Sequence, residues 1–333
     1  TITFNLIIQF PDNNENQDSE KGKTFNGKIV INKPTLSEYI SKLDLTKNGL
    51  EKDKTKDENL RYVGANPNNY LKFNNNEIWR IVGVFNNITT IDELGNEKKE
   101  SLVKIIRNES LGDDYSWDSS ESSKNSGYGV NEWSQADLMT ELNTDYINPN
   151  PASETTLWFN GPNNAKTGTY NYDKNIKSKS IDKVATVRWN TSRTPYGASA
   201  LNSYNQERST TSIIPPSDNV PRNNTWDGKI ALIYPSDYGY ASTDTACRDN
   251  MSSKTNNVYN CKNENWLFNS AYQWTLSPIS GYADYVFQVY SGGLVVVSCA
   301  NRANDVRPAL FLKSDVVIAG GTGESIENAY TLE

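Results

Sequence analysis

Three cysteines offer the most definite chemistry in this chain of 333 residues. Cys247 and Cys261 bracket the polar segment TACRDNMSSKTNNVYNCKN, and a disulfide across this loop would stabilise the fold by about 3 kcal/mol. The alternative is a pair of free surface thiols. A disulfide predicts an oxidising setting outside the cytoplasm, and Cys299 is then the cysteine left over.

Histidine is absent, so the chain lacks the usual general base near neutral pH and the commonest transition-metal ligand. We therefore expect no catalytic residues, no cofactor and no metal centre, and we predict that the protein is not an enzyme. Asp113, Asp114 and Asp118 could offer oxygen ligands to calcium, but they lack the EF-hand spacing, and a solvated loop is the preferred interpretation. The net charge of -7 argues against nucleic acid as a partner.

The segment from Ile279 to Asp305 differs in composition from the rest of the chain. No asparagine lies between Asn269 and Asn301, although the chain is rich in this residue. Apart from Gln288, every residue type in the segment can be encoded by an asparagine codon whose two adenines have been randomised. Two buried strands would also exclude asparagine and charge. However, GYADYVFQVYSGG and LVVVSCANRAND lack a clean period of two, and their Tyr, Ser, Gly and Arg are typical of adaptable binding surfaces.

Strands and turns are predicted before this segment. TITFNLIIQF alternates as a strand, a polar stretch follows, and TLSEYISKLDL has helical spacing. NLRYVGANPNNYLKF and EIWRIVGVF flank Asn74-Asn75-Asn76 as a β-hairpin would, and SLVKIIRNESL supplies another strand. In NEWSQADLMTELNTDYI, Trp133, Leu138 and Leu142 fall on one face of an amphipathic helix that Ser134 would cap.

Residues 148–225 are predicted to be mostly loop, with a second helix around SIDKVATVRWN. After Trp226 the sequence predicts a series of short strands broken by Gly and Pro. The predicted fold class is therefore α+β, with mixed antiparallel strands, two main helices and long loop insertions. No apolar run reaches the roughly 18 residues that cross a bilayer.

Several phrases resemble known proteins. WTLSP, then YVFQVYSGG, then VRPALFLKSDV are similar to the variable proteins of diversity-generating retroelements, which occur in bacteria and their phages. LRYVGANPNNY, EIWRIVGVF, SGYGVNEWSQADLM and IYPSDYGYA look like surface proteins of gut Firmicutes. The resemblance runs from about Leu60 to Ile318, and the first 56 residues match loosely. It implies a C-type-lectin fold of the formylglycine-generating-enzyme subtype.

The resemblance also implies that an invariable scaffold holds diversified side chains on a flat or shallow face. Carried over by position, the ligand-binding residues are Ile279, Gly281, Tyr282, Asp284, Tyr285, Tyr290, Gly292, Leu294, Val296, Val297, Ser298, Cys299, Asn301, Arg302, Asn304 and Asp305. Gln288 and the pair Gly292-Gly293 could each be diversified or belong to the scaffold.

The expected function is ligand binding, as an adhesin or receptor-recognition protein on the bacterial cell surface or a phage particle. The partner would be a protein or glycan on another cell, host or phage, and a membrane or wall anchor would lie upstream. The expected segments are 1–57, a membrane-proximal strand, linker and short helix, then 58–319, the lectin-like domain, and 320–333, a tail.

Two alternatives remain open. A pilus-like subunit could self-associate through TITFNLIIQF as an exposed edge strand. An oxidase of the formylglycine-generating type would need two reactive cysteines in one site, and only Cys299 is left over once the Cys247–Cys261 loop is closed.

Overall fold

The computed structural model describes residues 16, 18–20, 22–24, 33–112, 114–119, 127–148, 174–211, 218, 220–252 and 258–333. The chain divides into two compact units, Thr1–Lys33 and Pro34–Glu333. In the first unit a 3-10 turn spans Asp18–Glu20, and the strand predicted for TITFNLIIQF lies outside the described residues. The second unit holds every other helix and strand that the structure describes.

The second unit has the predicted α+β architecture, with short helices and mostly antiparallel strands. The helices are α1 (Leu36–Ile40), α2 (Leu45–Asn48), α3 (Asp137–Asn143), α4 (Ser178–Ile181), α5 (Ala200–Glu207), α6 (Pro235–Tyr240) and α7 (Thr245–Asp249). The strands are β1 (Leu50–Lys52), β2 (Leu60–Tyr62), β3 (Tyr70–Phe73), β4 (Glu77–Ile91), β5 (Glu97–Arg107), β6 (Tyr115–Ser116), β7 (Val187–Asn190), β8 (Thr225–Gly228), β9 (Ile230–Ala231), β10 (Gln273–Pro278), β11 (Tyr285–Val289), β12 (Val295–Cys299), β13 (Ala303–Asn304), β14 (Ala309–Phe311), β15 (Ile318–Gly320) and β16 (Thr331–Leu332).

The largest sheet has nine strands, with the order β1-β2-β4-β5-β14-β9, while β3 and β7 also pair with β4, and β8 pairs with β7. A second sheet has three strands in the order β10-β11-β12. Two further pairs are β13 with β6 and β15 with β16. The second sheet contains most of the segment singled out by its composition.

The predicted hairpin at Asn74-Asn75-Asn76 is confirmed, since β3 and β4 pair with Phe73 opposite Glu77. All three asparagines have positive φ, between 50° and 68°, a region that asparagine tolerates better than most residues. The short helix in TLSEYISKLDL is also confirmed as α1. A capping box starts it, because Thr35 Oγ1 accepts the Glu38 N–H while the Glu38 carboxylate accepts the Thr35 N–H.

The amphipathic helix that includes Leu138 and Leu142 is present, but its predicted start is wrong. Trp133–Gln135 forms a separate 3-10 turn, and Ala136 is extended with φ -66° and ψ 141°, so α3 begins only at Asp137. Ser134 is not an N-cap, because its N–H and hydroxyl both donate to the Glu132 carboxylate. Trp133, Leu138 and Leu142 are buried, as the pattern predicts.

The helix predicted around SIDKVATVRWN is mostly wrong. The chain is helical only in α4, and Val187–Asn190 forms β7. Val187 and Trp189 are buried while Arg188 and Asn190 are half-exposed, which is the period-two pattern of a strand. Two helices, α5 and α6, occur where the sequence predicted loop and strand, and Pro235 occupies the first turn of α6, where its missing N–H costs nothing.

Two cations and two carboxylates form a buried ion cluster beneath the large sheet. Asp237 binds Arg61 Nη1 at 2.8 Å and Lys104 Nζ at 2.5 Å, and Asp53 binds Arg61 Nε at 2.7 Å. Their side chains are at most 2% exposed. Burial alone would raise the pKa of Asp237, but the charges of Lys104 and Arg61 lower it to about 2. Burial lowers the pKa of Lys104 to about 8, against the opposing effect of Asp237.

The compact unit extends beyond the predicted boundaries at residues 57 and 319. It starts at Pro34, and Leu36 and Ile40 are buried in the same core as the large sheet. Near the C-terminus, Tyr330 is fully buried and its N–H donates to Tyr70 O. The segments 34–57 and 320–333 therefore belong to the same folded unit as 58–319. In the described part of the chain, no helix has both the length and the apolar character needed to cross a bilayer.

Candidate functional site

The hairpin of β11 and β12 carries the centre of the segment Ile279–Asp305, which we call the window. Tyr285 lies opposite Cys299, Phe287 opposite Val297, and the pairing continues to the turn. β11 is the central strand of its sheet and β12 is an edge strand. The window thus combines a central strand with an edge strand of the same sheet.

From the sequence, the lack of a period-two pattern in the window is interpreted as a sign of a binding surface. In β11 this lack has a different cause. Val286, Phe287, Gln288 and Val289 are all buried, so β11 is covered on both faces. Gln288 belongs to the scaffold, because its Oε1 accepts a hydrogen bond from Asn304 Nδ2 at 2.7 Å. In this strand the buried-strand interpretation is correct. The exposed and half-buried residues of the window lie in β12, at Tyr285, in the turn of the hairpin and in the segments that flank the hairpin.

Five of the predicted ligand-binding residues are buried and cannot contact a ligand from their present positions. Ile279 and Leu294 are at most 5% exposed and pack as apolar side chains. Asn301 is fully buried, and its Nδ2 donates to Gly127 O at 2.7 Å. Asp284 and Asn304 are 2% and 5% exposed. In this structure these five residues are part of the folded interior.

The other eleven predicted residues are exposed or half-buried. They are Gly281, Tyr282, Tyr285, Tyr290, Gly292, Val296, Val297, Ser298, Cys299, Arg302 and Asp305. Tyr282 has the largest exposed fraction of the hydrophobic side chains among them, at 54%. These residues form the surface of the window, although not a single face of one strand.

Four window residues cluster at the open end of the hairpin. The rings of Tyr282 and Tyr285 meet edge to face with their centres 5.3 Å apart. The Tyr285 phenol shares a hydrogen bond with the Cys299 thiol, which raises the pKa of Tyr285 to about 12. Burial raises the pKa of Cys299, so this thiol is a weak nucleophile at neutral pH. Arg302 follows at the surface, with its N–H donating to Cys299 O.

Scaffold side chains fix the backbone that presents these residues. Asn131 Nδ2 donates to Tyr282 O at 2.9 Å and to Tyr285 O at 2.8 Å. The Asn131 N–H and Arg222 Nη2 both donate to Ala283 O. Three carbonyl groups of the Tyr282–Tyr285 turn are thus held by scaffold side chains and backbone, while the tyrosine side chains remain at the surface. A preorganised backbone limits the entropy lost when a ligand binds.

The disulfide loop supports the other end of the hairpin. Cys247 and Cys261 are bonded, with their Cα atoms 5.7 Å apart, and their side chains pack with Leu294. Met251, inside the loop, accepts the Val295 N–H at 2.9 Å through its carbonyl oxygen. The cross-link therefore restrains the loop that covers the start of the edge strand. Asp244 lies close to both sulfur atoms, but bonded sulfurs do not act as thiolate ligands.

Three tyrosines outside the window extend its surface, and no pattern in the sequence indicated them. Tyr196 is 54% exposed and stacks on Phe287, with ring centres 6.5 Å apart. Tyr272 is 44% exposed and meets Tyr290 edge to face at 5.1 Å. Tyr128 is 38% exposed, and its carbonyl accepts the Asn301 N–H. All the strongly exposed aromatic side chains among the described residues are these three and Tyr282.

Two buried polar residues near the window, Asp118 and Arg307, have structural roles. Asp118 is 1% exposed, and its carboxylate accepts the backbone N–H groups of Val130 and Asp137. This explains Asp118 without a calcium ion, and Asp113 lies outside the described residues. Arg307, which follows the window, is 3% exposed and donates to the carbonyl oxygens of Arg107 and Leu267.

No protein-family model, no curated protein and no solved structure matches this chain.

Proposed function

We propose that this protein is a ligand-binding protein displayed outside the cell, and that the window is a binding surface diversified by a retroelement. Tyrosine placement is the observation that supports the proposal most. Among the described residues, the four strongly exposed tyrosines all lie in the window or contact it. Tyrosine supplies a large amphipathic contact area at a low cost in conformational entropy, and it is enriched in binding surfaces.

The proposed scaffold is a C-type-lectin fold of the formylglycine-generating-enzyme subtype. The resemblance of WTLSP and VRPALFLKSDV to retroelement variable proteins suggests it, and the mixed antiparallel sheets with few helices are compatible with it. The disulfide between Cys247 and Cys261 favours an oxidising compartment. The partner would be a protein or glycan on another cell, a host or a phage. The proposal includes no catalytic step and no cofactor.

The predicted ligand-binding residues of the window divide into eleven surface positions and five buried positions, and this division supports diversification at the surface of the window. Tyr282, Tyr285, Ser298 and Arg302 expose side chains while the backbone around them is held by Asn131 and its neighbours. Side chains of this kind can change without leaving a cavity or a buried polar group unpaired. The five buried positions do not have this freedom. A diversified binding face in this molecule would therefore use the eleven surface positions and the tyrosines around them.

A matched pair of display libraries tests the proposed binding surface. One library randomises Tyr282, Tyr285, Ser298 and Arg302, and the control library randomises Glu93, Leu94, Glu97 and Lys98 at the exposed end of the β4–β5 hairpin. Both are displayed on yeast and selected against the same folded test protein. We expect both libraries to be displayed and only the window library to yield binders. Equal yields, or loss of display in the window library alone, would contradict the proposal.

A further inference from the structure

A polar cleft of about 190 Å³ lies away from the window. It opens where β4 is interrupted by a bulge between Phe85 and Ile88, next to β7 and α5. Asn87 has a φ of 58°, an unusual backbone conformation for a residue other than glycine. The lining residues are Lys56, Asp57, Asn86, Asn87, Ile88, Thr89, Lys99, Arg188, Asn190, Tyr204 and Arg208. β-Bulges occur frequently beside functional sites.

Cationic side chains predominate among the charged residues that line the cleft, although the net charge of the chain is -7. Four of the lining side chains are cationic and one is a carboxylate, that of Asp57. Arg188 is paired with Asp227 and Glu97, and Arg208 is paired with Glu207. Lys56 and Lys99 are exposed, and neither forms an ion pair with any described residue. Two ammonium groups therefore remain available to a negatively charged ligand.

Arg208 presents the inner cation of the cleft. Its Nη1 donates to Tyr204 O at 3.2 Å and to Glu207 Oε2 at 3.1 Å, and its guanidinium lies 3.5 Å from the centre of the Tyr204 ring. Nε and Nη2 of this guanidinium have no hydrogen-bond partner among the described residues. The geometry fixes the group while leaving its second edge for a ligand, and a guanidinium edge suits two oxygen atoms of one anion.

The floor of the cleft is rigid. The Tyr204 hydroxyl donates to Asp57 Oδ2 at 2.6 Å and accepts a hydrogen bond from Asn59 Nδ2 at 3.1 Å. Asn86 Nδ2 donates to Asp57 O at 3.0 Å. The side-chain amide of Asn190 is half-exposed and forms no hydrogen bond with any described residue. This amide offers both a donor and an acceptor to a hydroxyl group beside the cationic edge.

We propose that this cleft binds the carboxylate of a small acidic sugar, with Arg208, Lys56 and Lys99 recognising the anion and Asn190 a hydroxyl group. The volume is below the roughly 300–1,000 Å³ of sites for drug-sized ligands, as expected for one sugar unit. The site shares no residue with the window. It stands independently of the proposed diversification.

Titration calorimetry at constant ionic strength tests this site with sodium glucuronate as the probe. Glucose is the neutral control, and sodium sulfate and sodium phosphate are the free-anion controls. We expect saturable glucuronate binding, no glucose binding, and weaker binding of the two inorganic anions. The proposal would be overturned if glucuronate showed no binding at about 10 mM. Even a weak ion pair in water would give a dissociation constant of about this size. Sulfate or phosphate binding as tight as that of glucuronate would overturn the assignment of a sugar acid.

A pair of variants locates the binding. The double variant Lys56→Gln with Lys99→Gln removes both exposed cations, and we expect it to weaken glucuronate binding about fivefold. Lys98→Gln with Lys47→Gln is the control with the same change in charge, because both lysines are exposed and neither lines the cleft. An equal effect of the two double variants would overturn the proposed site. Unchanged thermal unfolding midpoints would show that both variants are folded.

Discussion

The buried ion cluster and the window hold polar side chains in opposite ways. In the cluster, Asp237 contacts Arg61 and Lys104 directly, and each of these side chains is at most 2% exposed. In the window, Tyr282 and Arg302 reach solvent, and the protein fixes their backbone rather than their side chains. A change in the cluster leaves a buried charge unpaired, whereas a change at Tyr282 or Arg302 leaves no buried charge unpaired. Under the proposed function, the ion cluster would stay invariant while the surface of the window changes.

The contrast between the buried cluster and the window would be lost if the cluster tolerated substitution. Asp237→Ala leaves Arg61 and Lys104 buried without their shared carboxylate, and we expect a loss of about 3–5 kcal/mol in the free energy of unfolding. Urea denaturation measures this loss. The control is Asp227→Ala, whose partner Arg188 is exposed to solvent, and this change should cost about 1 kcal/mol or less. Similar losses of stability in the two variants would show that the buried ion cluster contributes no more to stability than the Arg188–Asp227 pair.

The Cys247–Cys261 disulfide packs against the turn end of the β11–β12 hairpin, whereas Tyr282 and Tyr285 lie at its open end. Replacing Cys247 and Cys261 together by Ser removes a cross-link between positions 14 residues apart, and we expect a loss of about 3 kcal/mol. Denaturation of the protein with and without a reducing agent checks this value independently. A double variant as stable as the parent protein would mean that the loop supports the hairpin without its cross-link.

The cluster also predicts how stability depends on pH. The pKa of Asp237 is about 2 in the folded protein, below its ordinary value of 3.8, so its ionised form is stabilised by folding. This contribution is complete above about pH 5 and is lost as the pH falls through 3.8 toward 2, with a total of about 2 kcal/mol. Denaturation between pH 6 and pH 2 would reveal it as a slope. Asp237→Ala should show a smaller slope, and an unchanged slope would assign the effect to other carboxylates.

The smallest effects are expected at the surface of the window. Tyr282→Ser and Arg302→Ser should each change the free energy of unfolding by about 0.5 kcal/mol or less. Leu294→Ala is the contrasting change within the same window, because it empties a buried site and should cost about 2–5 kcal/mol. Thermal and urea denaturation of the three variants compare them. Large losses at Tyr282 or Arg302 would place these residues in the scaffold.

Local signals in the sequence predicted the features that depend on neighbouring residues. Asn74-Asn75-Asn76 indicated a hairpin because asparagine tolerates positive φ. The spacing of Cys247 and Cys261 indicated a disulfide because the loop between them is short and polar. Leu138 and Leu142 indicated a helix through their period. In each case the residues that decide the structure lie within about fifteen positions of one another.

The remaining features depend on distant residues. Lys104 and Asp237 are 133 positions apart, and no local pattern links them. Asn301 is buried, and it donates hydrogen bonds to the carbonyl oxygens of Gly127 and Tyr128, which lie far earlier in the chain. The resemblance, carried over by position, placed Asn301 and Tyr282 in the same set of ligand-binding residues. Only the packing of the chain separates the buried positions of the window from the exposed ones.

Sequencing the coding region of this protein across a population of its source organism tests the proposed diversification. We expect amino-acid variation to concentrate at the eleven surface positions of the window, at codons where a nearby near-repeat of the DNA has adenines. We also expect Arg61, Lys104 and Asp237 not to vary. A window as uniform as the rest of the chain would contradict diversification and would leave a fixed adhesin or a structural subunit.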